Sequence, residues 1–93
     1  MMKNNALKID ENDNVSIATQ SIMKGDQIVV SGESLCKAVE DVELGHKAAL
    51  VPIAAGENVL RYGEPIVQAT RDIGRGEWVH VHNTQPIPGD LKE

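Results

Sequence analysis

Ile22-Met23-Lys24-Gly25-Asp26-Gln27-Ile28 and, 31 positions later, Ile53-Ala54-Ala55-Gly56-Glu57-Asn58-Val59 are two copies of one pattern, with a glycine midway between two apolar residues. The pattern recurs from Val42 to Ala48 and from Ile73 to Val79, again 31 positions apart, and Asp41-Val42 returns as Asp72-Ile73 at the same offset. Three of the glycines are followed by an acid, Asp26, Glu57 or Glu77, and the fourth by His46. Glycine has no Cβ and reaches positive φ at little steric cost, so each copy marks a tight turn or bulge. The runs at 15–19, 28–31, 48–51, 66–70 and 78–82 are short and rich in β-branched residues, which reads as strands. Two similar β units produced by internal duplication follow from the fixed offset.

Helical periodicity is weak throughout. Residues 33–43 place Leu35, Val39 and Val42 at roughly helical spacing, but the segment is short and runs into a glycine turn, so one short helix is the most the chain supports. The ends, 1–5 and 85–93, are polar or carry Pro and Gly, and are expected to be a flexible N-terminus and a C-terminal tail or linker around one domain at 6–84.

Ninety-three residues without Phe, with one Trp and one Tyr, must build a small core from Val, Ile, Leu, Ala and Met. A core of that size makes a docked partner or a homo-oligomer unsurprising. The net charge of -5 argues against a surface that tracks phosphates, so nucleic acid is not expected as a partner. Lys47, Arg61, Arg71 and Arg75 can still converge on a small anion. Cys36 is the single cysteine, and neither a leader-like segment nor a long apolar run is present; a soluble, reducing, cytoplasmic setting without a membrane is expected.

The second half of the chain holds all three histidines, His46, His80 and His82, and the only tyrosine, Tyr62. Imidazole is the side chain best suited to proton transfer and metal ligation near neutral pH. On a strand, His80 and His82 leave one face while Val79 and Val81 leave the other, so one face packs and the other is free for chemistry. Trp78 shares the histidine face but reads first as packing. Arg61-Tyr62-Gly63-Glu64-Pro65 reads as a turn, Glu57, Glu64 and Glu77 as turn or surface acids, and Cys36 as an idle thiol.

Gly45-His46-Lys47-Ala48-Ala49-Leu50, Ile53-Ala54-Ala55-Gly56-Glu57, Tyr62-Gly63-Glu64-Pro65-Ile66 and His80-Val81-His82-Asn83, in this order and spacing, resemble the amino-terminal SAF-type module of the altronate and galactarate dehydratase family. The resemblance runs from about Asn14 to Asn83. It implies an all-β fold, a small β-clip domain of short bent strands with glycine turns. It also implies a lyase: a hydro-lyase component that removes water from a sugar acid to give a 2-keto-3-deoxy acid, aided by a divalent metal, usually iron(II). Related stand-alone chains are small subunits beside a large catalytic subunit, including that of a sulfolactate sulfo-lyase, so inactivity without a large partner is expected. A non-catalytic β-clip binding module is the remaining alternative.

The residue types suit the chemistry. Removing a proton next to a carboxylate needs a base and a stabiliser for the enediolate, and expelling hydroxide needs an acid or a Lewis acid. The resemblance marks His46, His80 and His82 as catalytic candidates, with His80 and His82 also candidate metal ligands whose shell is shared with the large subunit. Lys47, Arg61 and Asn83 are the candidates for substrate contact, the two cations for its carboxylate. Which imidazole is ligand and which is acid or base stays open at this level.

Overall fold

Two-residue turns at Ser31-Gly32 and Tyr62-Gly63 reverse the chain at equivalent places, with φ of 52° and 80° in the first and 58° and 75° in the second. Positive φ at both central residues matches the right-handed twist of the flanking strands, so each turn closes an antiparallel hairpin. In the computed structural model, which describes residues 2–88, nine short strands are built around these hairpins. They are β1 (Ala6–Leu7), β2 (Val15–Ala18), β3 (Gln27–Val30), β4 (Glu33–Lys37), β5 (Lys47–Ala49), β6 (Asn58–Arg61), β7 (Glu64–Ala69), β8 (Trp78–Val79) and β9 (Thr84–Gln85). Strands β1, β2, β5 and β8 form one antiparallel sheet in that order; β3 pairs with β4, and β6, β7 and β9 make the third sheet. No helix occurs among the described residues. The all-β fold, a small β-clip of SAF type, is as expected.

The 31-residue duplication is visible bond by bond. Each hairpin carries a bulge at the same point, between Ile28 and Val29 in the first and between Val59 and Leu60 in the second. Isolated bridges tie Ile22 to Val42 and Ile53 to Ile73. The Gly25 N–H donates to the Ala38 carbonyl at 2.8 Å, and the Gly56 N–H to that of Ala69 at 2.9 Å. Asp41 accepts from the Lys24 N–H at 2.7 Å, and Asp72 from the Ala55 N–H at 2.9 Å. Two small cores follow from the same duplication. One gathers Ala18, Ile22, Ile28, Ala38, Val42 and Ala48; the other gathers Ala49, Ile53, Val59, Ala69, Ile73 and Val79. Full burial of one such Ile or Val stabilises the fold by about 1.5–3 kcal/mol.

Within the expectation of at most one short helix, residues 33–43 form strand β4 and the bridge at Val42, because the Ser31-Gly32 turn lays the segment back along β3, where backbone pairing outweighs a weak helical pattern. Two sequence expectations are corrected. The N-terminal segment is not free at Asn4 and Asn5. Asn4 accepts from the Gly32 N–H at 2.7 Å, and the buried Asn5 side chain donates to the Gln27 carbonyl and accepts from the Val29 N–H, both at 2.8 Å. Asn14 does the same for the second hairpin, bonding the Asn58 carbonyl at 3.0 Å and the Leu60 N–H at 2.8 Å. In each case a carboxamide stands in for a peptide unit where a bulge has broken the ladder. Finally, the run at 78–82 is a strand only through Val79, after which the chain turns and leaves Val81 79% exposed. Met1 and residues 89–93 of the expected termini lie outside the described residues.

Candidate functional site

Strand β5 pairs with β8 in the register Lys47 with Val79 and Ala48 with Trp78. Continuing that register one step sets His46 opposite His80, and alternation puts His46, Ala48, Trp78 and His80 on one face. The rings meet there. His46 and His80 stack with centroids 4.8 Å apart, Trp78 lies 5.1 Å from His80 and 5.7 Å from His46, and His82 is tilted against Trp78 at 4.8 Å. The Trp78 Nε1–H donates to His46 Nδ1 at 3.0 Å, and His46 Nε2 stands 3.8 Å from a carboxylate oxygen of the exposed Glu43. Together with Asp41 and Glu43, the rings of His46, Trp78 and His80 line an open concavity of about 300 Å3.

The turn that carries His80 and His82 is fixed by Asn83. Its side chain is fully buried; Oδ1 accepts from the His80 N–H and Nδ2 donates to the Trp78 carbonyl, both at 2.9 Å. The Trp78 N–H donates to Glu40 at 3.0 Å, and the Thr84 hydroxyl to the His80 carbonyl at 2.8 Å. Asn83 was a candidate for substrate contact. With no exposed surface and both ends of its amide engaged by backbone, it positions the histidine turn instead. His82 reaches Trp78 around this turn, not along the flat strand face that the two-residue spacing suggested.

The candidate cations lie elsewhere. Lys47 shares its face with Val79 and Ala49, and neither it nor Arg61 lines the imidazole concavity. They do lie near each other: burial, and then the Arg61 charge, hold the Lys47 amine below the usual lysine range. The Arg61 guanidinium sits 4.9 Å from the centroid of the exposed Tyr62 ring, and its Nε is buried without a hydrogen-bond partner among the described residues. Arg71 pairs with Glu77 at 3.8 Å, while the Arg75 Nε–H donates to the Leu50 carbonyl at 3.3 Å. The four cations therefore do not converge on one anion. Cys36 points its Sγ toward the Ala49 carbonyl, and burial, only partly offset by Arg75, pushes its thiol up, away from a reactive thiolate.

The imidazoles do not fit a metal shell by themselves. Metal ligation uses in-plane lone pairs converging on one point, whereas His46 and His80 meet face to face at 23° and His46 Nδ1 already accepts a hydrogen bond from indole. Among the described residues no group of three His, Cys, Asp or Glu side chains could hold an ion.

A larger concavity, about 480 Å3, lies at the equivalent place in the second repeat, where Asp72, Gly74 and Glu77 replace Asp41, Glu43 and His46. Its acids are used locally, since Glu57, Asp72 and Glu77 accept from the N–H groups of Ala54, Ala55 and Gly74. Sequence reasoning located the imidazoles but set Trp78 aside as packing, and it missed Glu40, Asp41 and Glu43. The period-two placement of Trp78, His80 and His82 was the available signal for the indole.

Residues 4–86 match the family described as altronate/galactarate dehydratase SAF domain. Over 86 residues, 92% of the chain, it is 38% identical to the altronate dehydratase of Bacillus subtilis (strain 168), and over 87 residues, 94% of the chain, it is 40% identical to that of Escherichia coli (strain K12). The chain spans 17% of the length of each of these enzymes. It is also 41% identical, over 46 residues, half of this chain, to (2R)-sulfolactate sulfo-lyase subunit alpha of Paracoccus pantotrophus, covering 69% of that subunit.

Proposed function

This chain belongs to the altronate/galactarate dehydratase SAF-domain family, and on that premise we propose that it is the small, histidine-bearing component of a sugar-acid dehydratase completed by a larger catalytic partner. The observation that carries the reading is the set of three imidazoles gathered around Trp78, His46 and His80 stacked with it and lining an open concavity and His82 tilted against it. The two altronate dehydratases are far longer than this chain, so their additional length is the natural counterpart of the partner that completes the site.

On this reading a sugar acid of the altronate or galactarate type enters the joint site. An imidazole of the His80-His82 turn removes the proton next to the carboxylate, the enediolate that forms expels the neighbouring hydroxyl, which leaves as water once protonated by an acid of the joint site, and the resulting enol takes up a proton at that carbon to become a 2-keto-3-deoxy acid. Lys47 and Arg61 stand outside the concavity, so the substrate carboxylate is held mainly by the partner. Iron(II), the metal the resemblance implies, is likewise held chiefly by the partner's groups. The protein works in the cytoplasm, in keeping with its single, half-buried thiol.

Co-expression with a large dehydratase-type partner tests this. Keto-acid formation from altronate or galactarate should require both chains, and His80→Ala should lower turnover about 100-fold or more, the usual weight of an acid–base group. Normal association with unchanged turnover in His80→Ala would leave the chain a non-catalytic assembly module. The match to a sulfo-lyase subunit supports one second reading, in which sulfite is the leaving group. Sulfite release from a sulfonate analogue by the same pair of chains identifies that case.

A further inference from the structure

We propose that Trp78 removes His46 from the list of possible bases and makes it a neutral hydrogen-bond donor through Nε2. An indole N–H only donates, so the 3.0 Å contact from Trp78 Nε1 requires an unprotonated, accepting Nδ1 on His46. In a neutral imidazole the proton then sits on Nε2, and the one ring lone pair is already engaged. A group in that state has nothing with which to take up a proton. His46 Nε2 stands 3.8 Å from the carboxylate of the exposed Glu43, beyond hydrogen-bond distance, so its N–H is left to an oxygen atom entering the concavity that both residues line.

The indole is itself firmly held. Glu40 takes its main-chain N–H at 3.0 Å, buried Asn83 takes its carbonyl at 2.9 Å, and the ring stacks on His80 at 13°. The hydrogen bonds found at His80, in contrast, all run through its main chain, which leaves its ring nitrogens to the concavity. The stacked pair thus divides the work. His46 donates to the oxygen on which negative charge grows, without giving up its proton, and proton removal falls to the His80-His82 turn. The hydrogen bond is a property of this chain alone; its catalytic meaning rests on the dehydratase reading above.

Nitrogen-15 correlation spectra of the full chain, at a pH where its imidazoles are neutral, read the tautomer directly. A single Nε2–H form of His46, with through-bond coupling between Trp78 Nε1 and His46 Nδ1, is expected; a proton on Nδ1, or no coupling, overturns the assignment without any variant. In Trp78→Phe, which keeps a stacking ring but no donor, the Nδ1 resonance should move toward that of a free ring nitrogen. In the assembled enzyme, His46→Gln keeps an N–H donor and should cost about tenfold in turnover, against about 100-fold or more for His80→Gln. Equal losses of 100-fold would return His46 to the role of base. No loss in either, with the tautomer as described, would overturn the dehydratase reading and leave the hydrogen bond standing.

Discussion

The concavity around His46 and the one around Glu77 sit at equivalent places in two repeats that share turns, bulges, bridges and core positions, yet their side chains are employed in opposite ways. In the second repeat Glu77 folds back to accept from the Gly74 N–H at 2.8 Å and meets Arg71 at 3.8 Å, so its charge is satisfied by its own turn. In the first, the His46 side chain makes no hydrogen bond to its own turn, where Glu43 stands 3.8 Å away, and accepts instead from Trp78, which strand β8 of the second repeat delivers. Duplication supplied one frame twice. A few side-chain differences made one copy a closed turn and the other an open array of imidazoles.

The glycines at the two turns offer the strongest way to break this equivalence. Gly45 and Gly76 have the same φ, 86°, but a Cβ on Gly45 would meet open space, whereas one on Gly76 would collide with the carbonyl oxygen of Lys37. Gly45→Ala should cost about 1 kcal/mol from backbone strain alone. Gly76→Ala adds a backbone clash that neither partner can relieve by a rotamer change, and should exceed about 4 kcal/mol, enough to unfold a domain of this size. Urea denaturation of both variants measures the gap; equal midpoints would mean that the two repeats do not pack as described.

The asparagines that brace the two bulges sharpen it further. Asn5 is buried and Asn14 only half-buried, although each makes the same pair of backbone bonds. Asn5→Ala strands a buried donor and acceptor and should cost about 2–3 kcal/mol, while Asn14→Ala should cost about 1 kcal/mol because water replaces part of what is lost. Thermal melts of the two variants give the order, and a larger loss at Asn14 would reverse the argument.

A subtler contrast concerns the residue before each asparagine. Asn4 holds the first hairpin turn with a neutral amide, accepting from Gly32; buried Asp13 holds the second with a carboxylate, accepting from Tyr62 at 3.1 Å and Gly63 at 2.8 Å. Burial by itself raises the Asp13 carboxyl, but the N–H donors of Gly63, Asp10, Tyr62 and Ile9 together outweigh it and hold it below the usual aspartate range. A group depressed in the folded state contributes its stability above the unfolded value, about 3.9, and loses it as pH falls through the lower folded value. Wild-type stability should therefore decline below about pH 4, and Asp13→Asn should be less stable at neutral pH and show a shallower acid decline. An acid profile unchanged by Asp13→Asn would move that pH dependence to other carboxylates.

The glycine pattern, its 31-residue offset and the alternation of β-branched residues were enough to read an all-β duplication, because turn chemistry and side-chain period are local properties that each short segment carries by itself. The clustering of histidines in the second half was legible in the same way. The carboxamide braces at Asn5 and Asn14, the division of the cations from the imidazoles and the engagement of His46 by indole were not. Those depend on the register between β5 and β8, and on where buried Asn83 ends a strand. Register is set by the packing of two small cores against a shared sheet, a balance over the whole chain that no local window contains.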